Sequence, residues 1–66
     1  MSAPSRAEAI ARGAAVLAGA GVEDPARDAR LLYRWASGLD GAALSAALTE
    51  PAGAAELACF ERAVTA

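Results

Sequence analysis

The chain has 66 residues, which is enough for one domain with a thin core and excludes a catalytic domain joined to a substrate domain. Six arginines against eight acidic residues give a net charge of −2, which argues against nucleic acid or an anionic membrane as the main partner. Of the hydrophobic residues, 21 are alanine, the best helix former, and β-branched residues are scarce. The composition therefore predicts an all-α fold, a small bundle of four to five short helices.

The first helix is expected over residues 5–20. Ser5 and Glu8 form an S-x-x-E capping box at its start. Gly21 is a typical end because glycine tolerates positive φ, and Val22 is then placed to fold back onto the helix. Three apolar residues at helical spacing predict its buried stripe: Ile10, Ala14 and Leu17.

The second helix is expected over residues 24–37. Asp24 is a typical N-cap, and Pro25 suits the first helical position because its missing N–H has no partner there. Gly38 predicts the helix end. The large apolar residues of this segment are predicted to form its buried face: Leu31, Leu32 and Trp35.

Two shorter helices complete the expected bundle. Asp40 is the predicted cap of a helix over residues 41–48, with Leu44 and Leu48 facing inward. A loop rich in Pro and Gly follows, and the last helix is expected over residues 54–66. Its inward positions fall on one helical face: Leu57, Phe60 and Val64. Residues 1–66 are thus expected to form a single helical domain.

The residue types exclude several chemistries. The sequence has no His and no Lys, so its four serines have no base to activate them for hydrolysis. The single cysteine, Cys59, excludes an internal disulfide and a cysteine-based zinc site, and it fits a reduced, cytoplasmic setting. The glycines match no phosphate-binding motif. Neither Ser37 nor Ser45 lies in the Asp-Ser-Leu motif of carrier proteins. We expect no catalytic, cofactor-binding or metal-binding residue, and no membrane span.

One charged pattern is a candidate contact surface. Arg27, Arg30 and Arg34 follow one another at i, i+3 and i+7 on the second helix. They are predicted to lie opposite its Leu/Trp face, either as an ordinary solvated surface or as a docking site for an acidic partner or RNA. Tyr33 is expected at the edge of this stripe. Asp28 falls on the apolar side, where a carboxylate needs an ion pair or a helix-end contact.

The succession of short motifs resembles a known family. The run from Ala20 to Leu32 is followed by Gly38-Leu39-Asp40, then Leu44, Glu50-Pro51 and Leu57-x-x-Phe60-Glu61. This order is similar to the N-terminal helical domain of the release-factor glutamine methyltransferases, the HemK/PrmC family. The resemblance covers nearly the whole chain.

The resemblance implies a parent enzyme that uses S-adenosylmethionine to methylate the glutamine of the GGQ motif in peptide chain release factors. It implies that the small domain helps to recognise the release factor and adjoins the enzyme's own catalytic domain. The family's catalytic Asn-Pro-Pro-Tyr motif is missing because this chain contains no Asn. The catalytic methyltransferase domain is therefore expected to be absent from this chain, and catalysis is not expected of the fragment itself.

Three other functions remain open at this level. A generic helical protein-interaction module of another multidomain protein is the main alternative, and a helix-turn-helix DNA binder is disfavoured by the net charge and the lack of Lys. An independent enzyme ranks last because no general base is present at a suitable spacing. A monomer is expected in each case.

Overall fold

The computed structural model describes residues 3–66; Met1 and Ser2, the latter one of the four serines considered above, lie outside the described residues. The described residues form four helices: α1 (Arg6–Gly19), α2 (Pro25–Ser37), α3 (Gly41–Ala46) and α4 (Ala54–Thr65). The predicted all-α bundle is confirmed. Helices α1 and α2 pack against each other, and both pack against α4.

The capping residues act as the sequence predicts. The Ser5 hydroxyl accepts the backbone N–H of Glu8, whose carboxylate accepts the Ser5 N–H in return. Asp24 accepts the N–H of Arg27, and Asp40 accepts that of Ala43. These side chains satisfy backbone donors that the first helical turn leaves without partners.

The ends of α1 and α2 depend on glycines in the left-handed conformation. After α1, Gly21 has φ +86°, its N–H donates to the Ala18 carbonyl, and the Val22 N–H donates to the Leu17 carbonyl. These two bonds are the Schellman arrangement. After α2, Gly38 has φ +75° and its N–H donates to the Arg34 carbonyl.

Helix α3 ends at Ala46, two residues before the end expected from the sequence. The chain turns there because the loop pairs with the start of α1. The Ala7 N–H donates to the Leu48 carbonyl at 2.9 Å, and the Arg6 N–H donates to the Glu50 carbonyl at 3.0 Å. The first turn of α1 thus obtains backbone partners from a loop more than 40 residues away along the chain.

Small residues permit a close approach of α1 and α4. A Cβ placed on Gly13 would lie 2.4 Å from the Cζ of Phe60 and 3.3 Å from a methyl of Val64. Phe60 is buried, and its ring meets that of Tyr33 edge to face with centroids 4.8 Å apart. Glycine is required at this crossing because any side chain would collide with the aromatic core.

The buried core combines few large side chains with several alanines: Ala9, Ala29, Tyr33, Leu44, Ala52, Phe60 and Val64. The expected stripe of Ile10, Ala14 and Leu17 packs against this core while staying partly exposed, as do Leu32, Leu48 and Leu57. On α3 and α4, the predicted inward residues Leu44, Phe60 and Val64 are buried, as expected.

The predicted inner face of α2 is wrong for two of its three residues. Trp35 is 69% exposed and Leu31 is 44% exposed, whereas Ala29 and Tyr33 are fully buried. Only Leu32 packs toward the core, together with Ala36. The side of α2 that carries Ala29, Tyr33 and Ala36 faces the core instead, because Tyr33 packs there against Phe60.

Candidate functional site

The outward side of α2 is the candidate contact surface. Four exposed residues lie there, within a sector of the helix opposite Ala29 and Tyr33. We call this surface the outer α2 face and define it by Arg27, Leu31, Arg34 and Trp35. It places two guanidinium groups beside two large apolar side chains. The sequence-based prediction that the arginines lie opposite the Leu/Trp side is therefore wrong.

The three predicted arginines have different surroundings. Arg30 is half-buried at the edge of α2, and its guanidinium donates a hydrogen bond to the hydroxyl of Ser45 on α3. Arg27 and Arg34 are exposed, and within residues 3–66 neither guanidinium makes a hydrogen bond or an ion pair. Two arginines of the predicted stripe are thus available to a partner, while the third links α2 to α3.

Trp35 borders a shallow depression at the C-terminal end of α2. Its floor and walls are formed by the α2 end and the turn into α3: Leu31, Arg34, Trp35, Gly38, Leu39 and Asp40. The Arg34 guanidinium lies over the start of α3, where a Cβ on Gly41 would be 3.8 Å from its Cζ. The depression is apolar at Leu31 and Leu39 and charged at its rim.

Asp28 fits one of its two predicted explanations, whereas Tyr33 does not lie where the sequence placed it. Asp28 is half-buried in the first turn of α2, and no ion pair within residues 3–66 includes it. The helix-end explanation accounts for its position, because the helix dipole favours a carboxylate there. Tyr33 is buried in the core and takes no part in the outer α2 face, so the expectation that it borders the arginine stripe is wrong.

A second polar cluster joins three helices inside the bundle. The Arg6 guanidinium binds the Glu56 carboxylate through two hydrogen bonds, of 2.9 and 3.0 Å, and the Tyr33 hydroxyl donates to the same carboxylate. Arg6 also donates to the Ala47 carbonyl and reaches the exposed carboxylate of Glu50 at 3.3 Å. We call Arg6, Tyr33 and Glu56 the polar corner.

The polar corner shifts the pKa of each of its members. The hydrogen bonds from Arg6, aided by that from Tyr33, hold the pKa of Glu56 below its ordinary value. Burial, followed by the hydrogen bond to Glu56, raises the pKa of the Tyr33 hydroxyl. The bond to Glu56 raises the pKa of Arg6. All three groups therefore keep their charge states at neutral pH, which suits a structural link between helices.

Sequence reasoning missed the polar corner. Arg6 and Glu56 are separated by 50 positions, and no periodicity connects them. The available signal was local: each residue lies in the first turn of a helix whose start was predicted. Only the packing of α1 beside the loop before α4 brings the two turns together.

Residues 3–66 offer little to metals or cofactors. No group of three or more His, Cys, Asp and Glu side chains is placed to hold a metal ion in this part of the chain. The glycines lie within helices or at their ends, and no strand of the described residues leads into a glycine-rich turn. We assign no residue to S-adenosylmethionine. None of the helices in residues 3–66 has the length and hydropathy needed to cross a bilayer.

The fold and its surface define a small α-helical domain, held together by alanine-rich packing and presenting an arginine-apolar helix face. The family model of the PrmC N-terminal domain matches residues 8–66. The chain therefore belongs to this family, the N-terminal domain of release-factor glutamine methyltransferase. Its parent protein is of the PrmC methyltransferase type. The chain matches no curated protein and no solved structure at a significant level.

Proposed function

We propose that this domain recognises peptide chain release factors for a methyltransferase that uses S-adenosylmethionine and modifies the glutamine of their GGQ motif. The observation that carries the proposal is the family match over residues 8–66. In this proposal the domain is a monomeric accessory unit in the cytoplasm, and the chemistry is performed by the catalytic domain of the same enzyme.

The surface of the domain supports a protein partner. Arg27 and Arg34 are exposed on one helix side, next to Leu31 and Trp35. Arginine and tryptophan are enriched at protein–protein interfaces, whereas lysine is depleted, and this chain contains no lysine. RNA is a weaker candidate because the net charge is −2 and the basic residues do not form a long continuous track.

The experiment compares the full-length methyltransferase with a version lacking residues 1–66. Methylation is measured with two substrates: a purified release factor and a short peptide that contains the GGQ motif. We expect the deletion to raise KM for the release factor by about a hundredfold, equivalent to about 2.7 kcal/mol of lost binding, while the peptide is methylated at an unchanged rate. Equal KM values for the release factor in the two enzymes would contradict the proposed role.

The alternative function is a helical interaction module that serves a protein of another kind. It predicts that the isolated domain binds a partner unrelated to translation and that the deletion leaves release-factor methylation intact. The same pair of enzymes therefore distinguishes the two functions.

A further inference from the structure

We propose that the outer α2 face binds an acidic surface of the release factor, with Trp35 inserted into an apolar recess of that partner and Arg27 and Arg34 paired with its carboxylates. This inference rests on the proposed function and deepens it by naming the contact surface and the chemistry of its partner.

The exposure of Trp35 is the first observation behind this inference. Trp35 is the chain's only tryptophan, and 69% of its surface is exposed, while the much smaller Ala29 of the same helix is buried. Leu31 lies one turn before it and is 44% exposed, so the two side chains form one continuous apolar area. Residues that dominate binding energy are enriched in tryptophan and arginine, and they cluster at the centre of an interface.

The two exposed arginines, which form no ion pair in the described part of the chain, favour an acidic partner surface. Helix α2 contains three arginines and one aspartate, a net charge of +2, whereas the whole chain has −2 and the remainder therefore −4. Glu23, Asp24 and Asp28 border the same depression as Arg27, and Asp40 borders that of Arg34, yet within residues 3–66 neither guanidinium forms an ion pair with them. A partner that presents carboxylates to this face gains electrostatic attraction at Arg27 and Arg34.

The two exposed arginines fit this role better than Arg30 does. Arg30 already donates to Ser45, and that bond would have to break before it reached a partner. Arg27 and Arg34 lie on either side of Leu31 along the helix and have no partner of their own within residues 3–66. Each guanidinium is therefore able to form a bidentate contact with a carboxylate without disturbing the bundle.

The test uses the full-length methyltransferase, a purified release factor and the GGQ-containing peptide. The variants are Trp35→Ala and the double variant Arg27→Glu with Arg34→Glu. The matched control is the double variant Arg12→Glu with Arg62→Glu, which reverses the same amount of charge at exposed positions on α1 and α4. Circular dichroism and the Tm of each variant show that the domain remains folded.

We expect Trp35→Ala to raise KM for the release factor by about tenfold with unchanged kcat. The Arg27/Arg34 variant should raise KM by a similar factor and weaken the dependence of KM on salt, because its charges no longer attract the partner. The Arg12/Arg62 control should leave KM within about twofold, since exposed charges that lie outside the interface contribute little to binding.

Three outcomes would overturn the inference. If deletion of residues 1–66 raises KM but neither variant does, the domain recognises the release factor through another surface, and the proposed function survives. If the deletion itself has no effect, the proposed function fails as well. If Trp35→Ala lowers the rate on the short peptide, the face is covered by the enzyme's own catalytic domain instead of the release factor.

Discussion

Two aromatic residues of α2, only two positions apart, have opposite surroundings. Tyr33 is fully buried, contacts Phe60 and donates to Glu56, whereas Trp35 is 69% exposed beside Arg34 and Leu31. The more polar aromatic is inside because its hydroxyl has a carboxylate partner there, so its burial leaves no polar atom unsatisfied. The indole outside has no such structural role, and this contrast separates residues that maintain the fold from those free to bind.

The largest effect is expected from Tyr33→Ala. Removing this ring leaves a cavity against Phe60 and leaves Glu56 without one of its donors. Loss of a buried aromatic ring costs about 3–5 kcal/mol, which is most of the stability available to a domain of this size. Urea unfolding followed by circular dichroism measures the change. Tyr33→Phe is the control: it keeps the ring and should lose only about 1 kcal/mol, the net value of one hydrogen bond. Equal losses in both variants would show that the ring contributes no packing.

Gly13→Ala should have the second largest effect. The new methyl group would approach the ring of Phe60 to 2.4 Å, and that buried ring has little room to move. Overpacking of this kind costs about 1–3 kcal/mol, measured as a lower Tm. Gly19→Ala is the matched control in the same helix, because nothing lies within 4 Å of its added Cβ. It should instead raise stability by up to about 1 kcal/mol through helix propensity. A stabilised Gly13→Ala variant would mean that α1 and α4 separate without penalty.

The contrast also explains what the sequence predicted well. Helix starts and ends depend on residues within three or four positions of each other, as with Ser5 and Glu8 or Gly21 and Val22. Such local hydrogen bonds can be inferred from spacing. The family resemblance, which depends on the order of these same motifs, was confirmed for the same reason.

The orientation of α2 was predicted incorrectly because it depends on contacts between helices. A count of large apolar residues favoured Leu31 and Trp35 as the inner face, yet the side that faces the core carries Ala29 and Tyr33. The pairing of Arg6 with Glu56 was invisible for a related reason, because it forms only after α4 has packed beside α1. The position of the arginine stripe was a separate error, because helical spacing alone places Arg27, Leu31 and Arg34 on the same side of α2.

Glu56→Gln should have an intermediate effect that depends on pH. The pKa of Glu56 is held below its ordinary value of 4.5, so its stabilising contribution is complete above that pH and is lost as the pH falls through the folded-state pKa. At pH 7 the variant should lose about 1 kcal/mol, and the loss should shrink as the wild-type carboxyl becomes protonated in acid. Urea unfolding at pH 7 and at pH 3 tests this convergence.

Some acid sensitivity should remain in Glu56→Gln, because the hydrogen bond from the Ser5 backbone also lowers the pKa of Glu8.

Glu50→Gln is the control for the polar corner. Its carboxylate also meets Arg6, but it is 65% exposed, so the variant should change stability by less than about 1 kcal/mol. A gap between wild type and Glu56→Gln that stays constant from pH 7 to pH 3 would contradict the assigned role of this carboxylate.

Trp35→Ala should have the smallest effect on stability. The indole makes few contacts that unfolding would break, and substitutions at exposed sites usually change stability by no more than about 0.5 kcal/mol. Urea unfolding gives the value. Intrinsic fluorescence adds an independent check, since Trp35 is the only tryptophan and its emission in the folded protein should resemble that of the unfolded chain. A loss close to that of Tyr33→Ala would place the indole in the core and remove the argument for the outer α2 face. A negligible loss of stability, combined with weaker binding of the release factor, would assign Trp35 to recognition. The side chain would then contribute to binding without contributing to the fold.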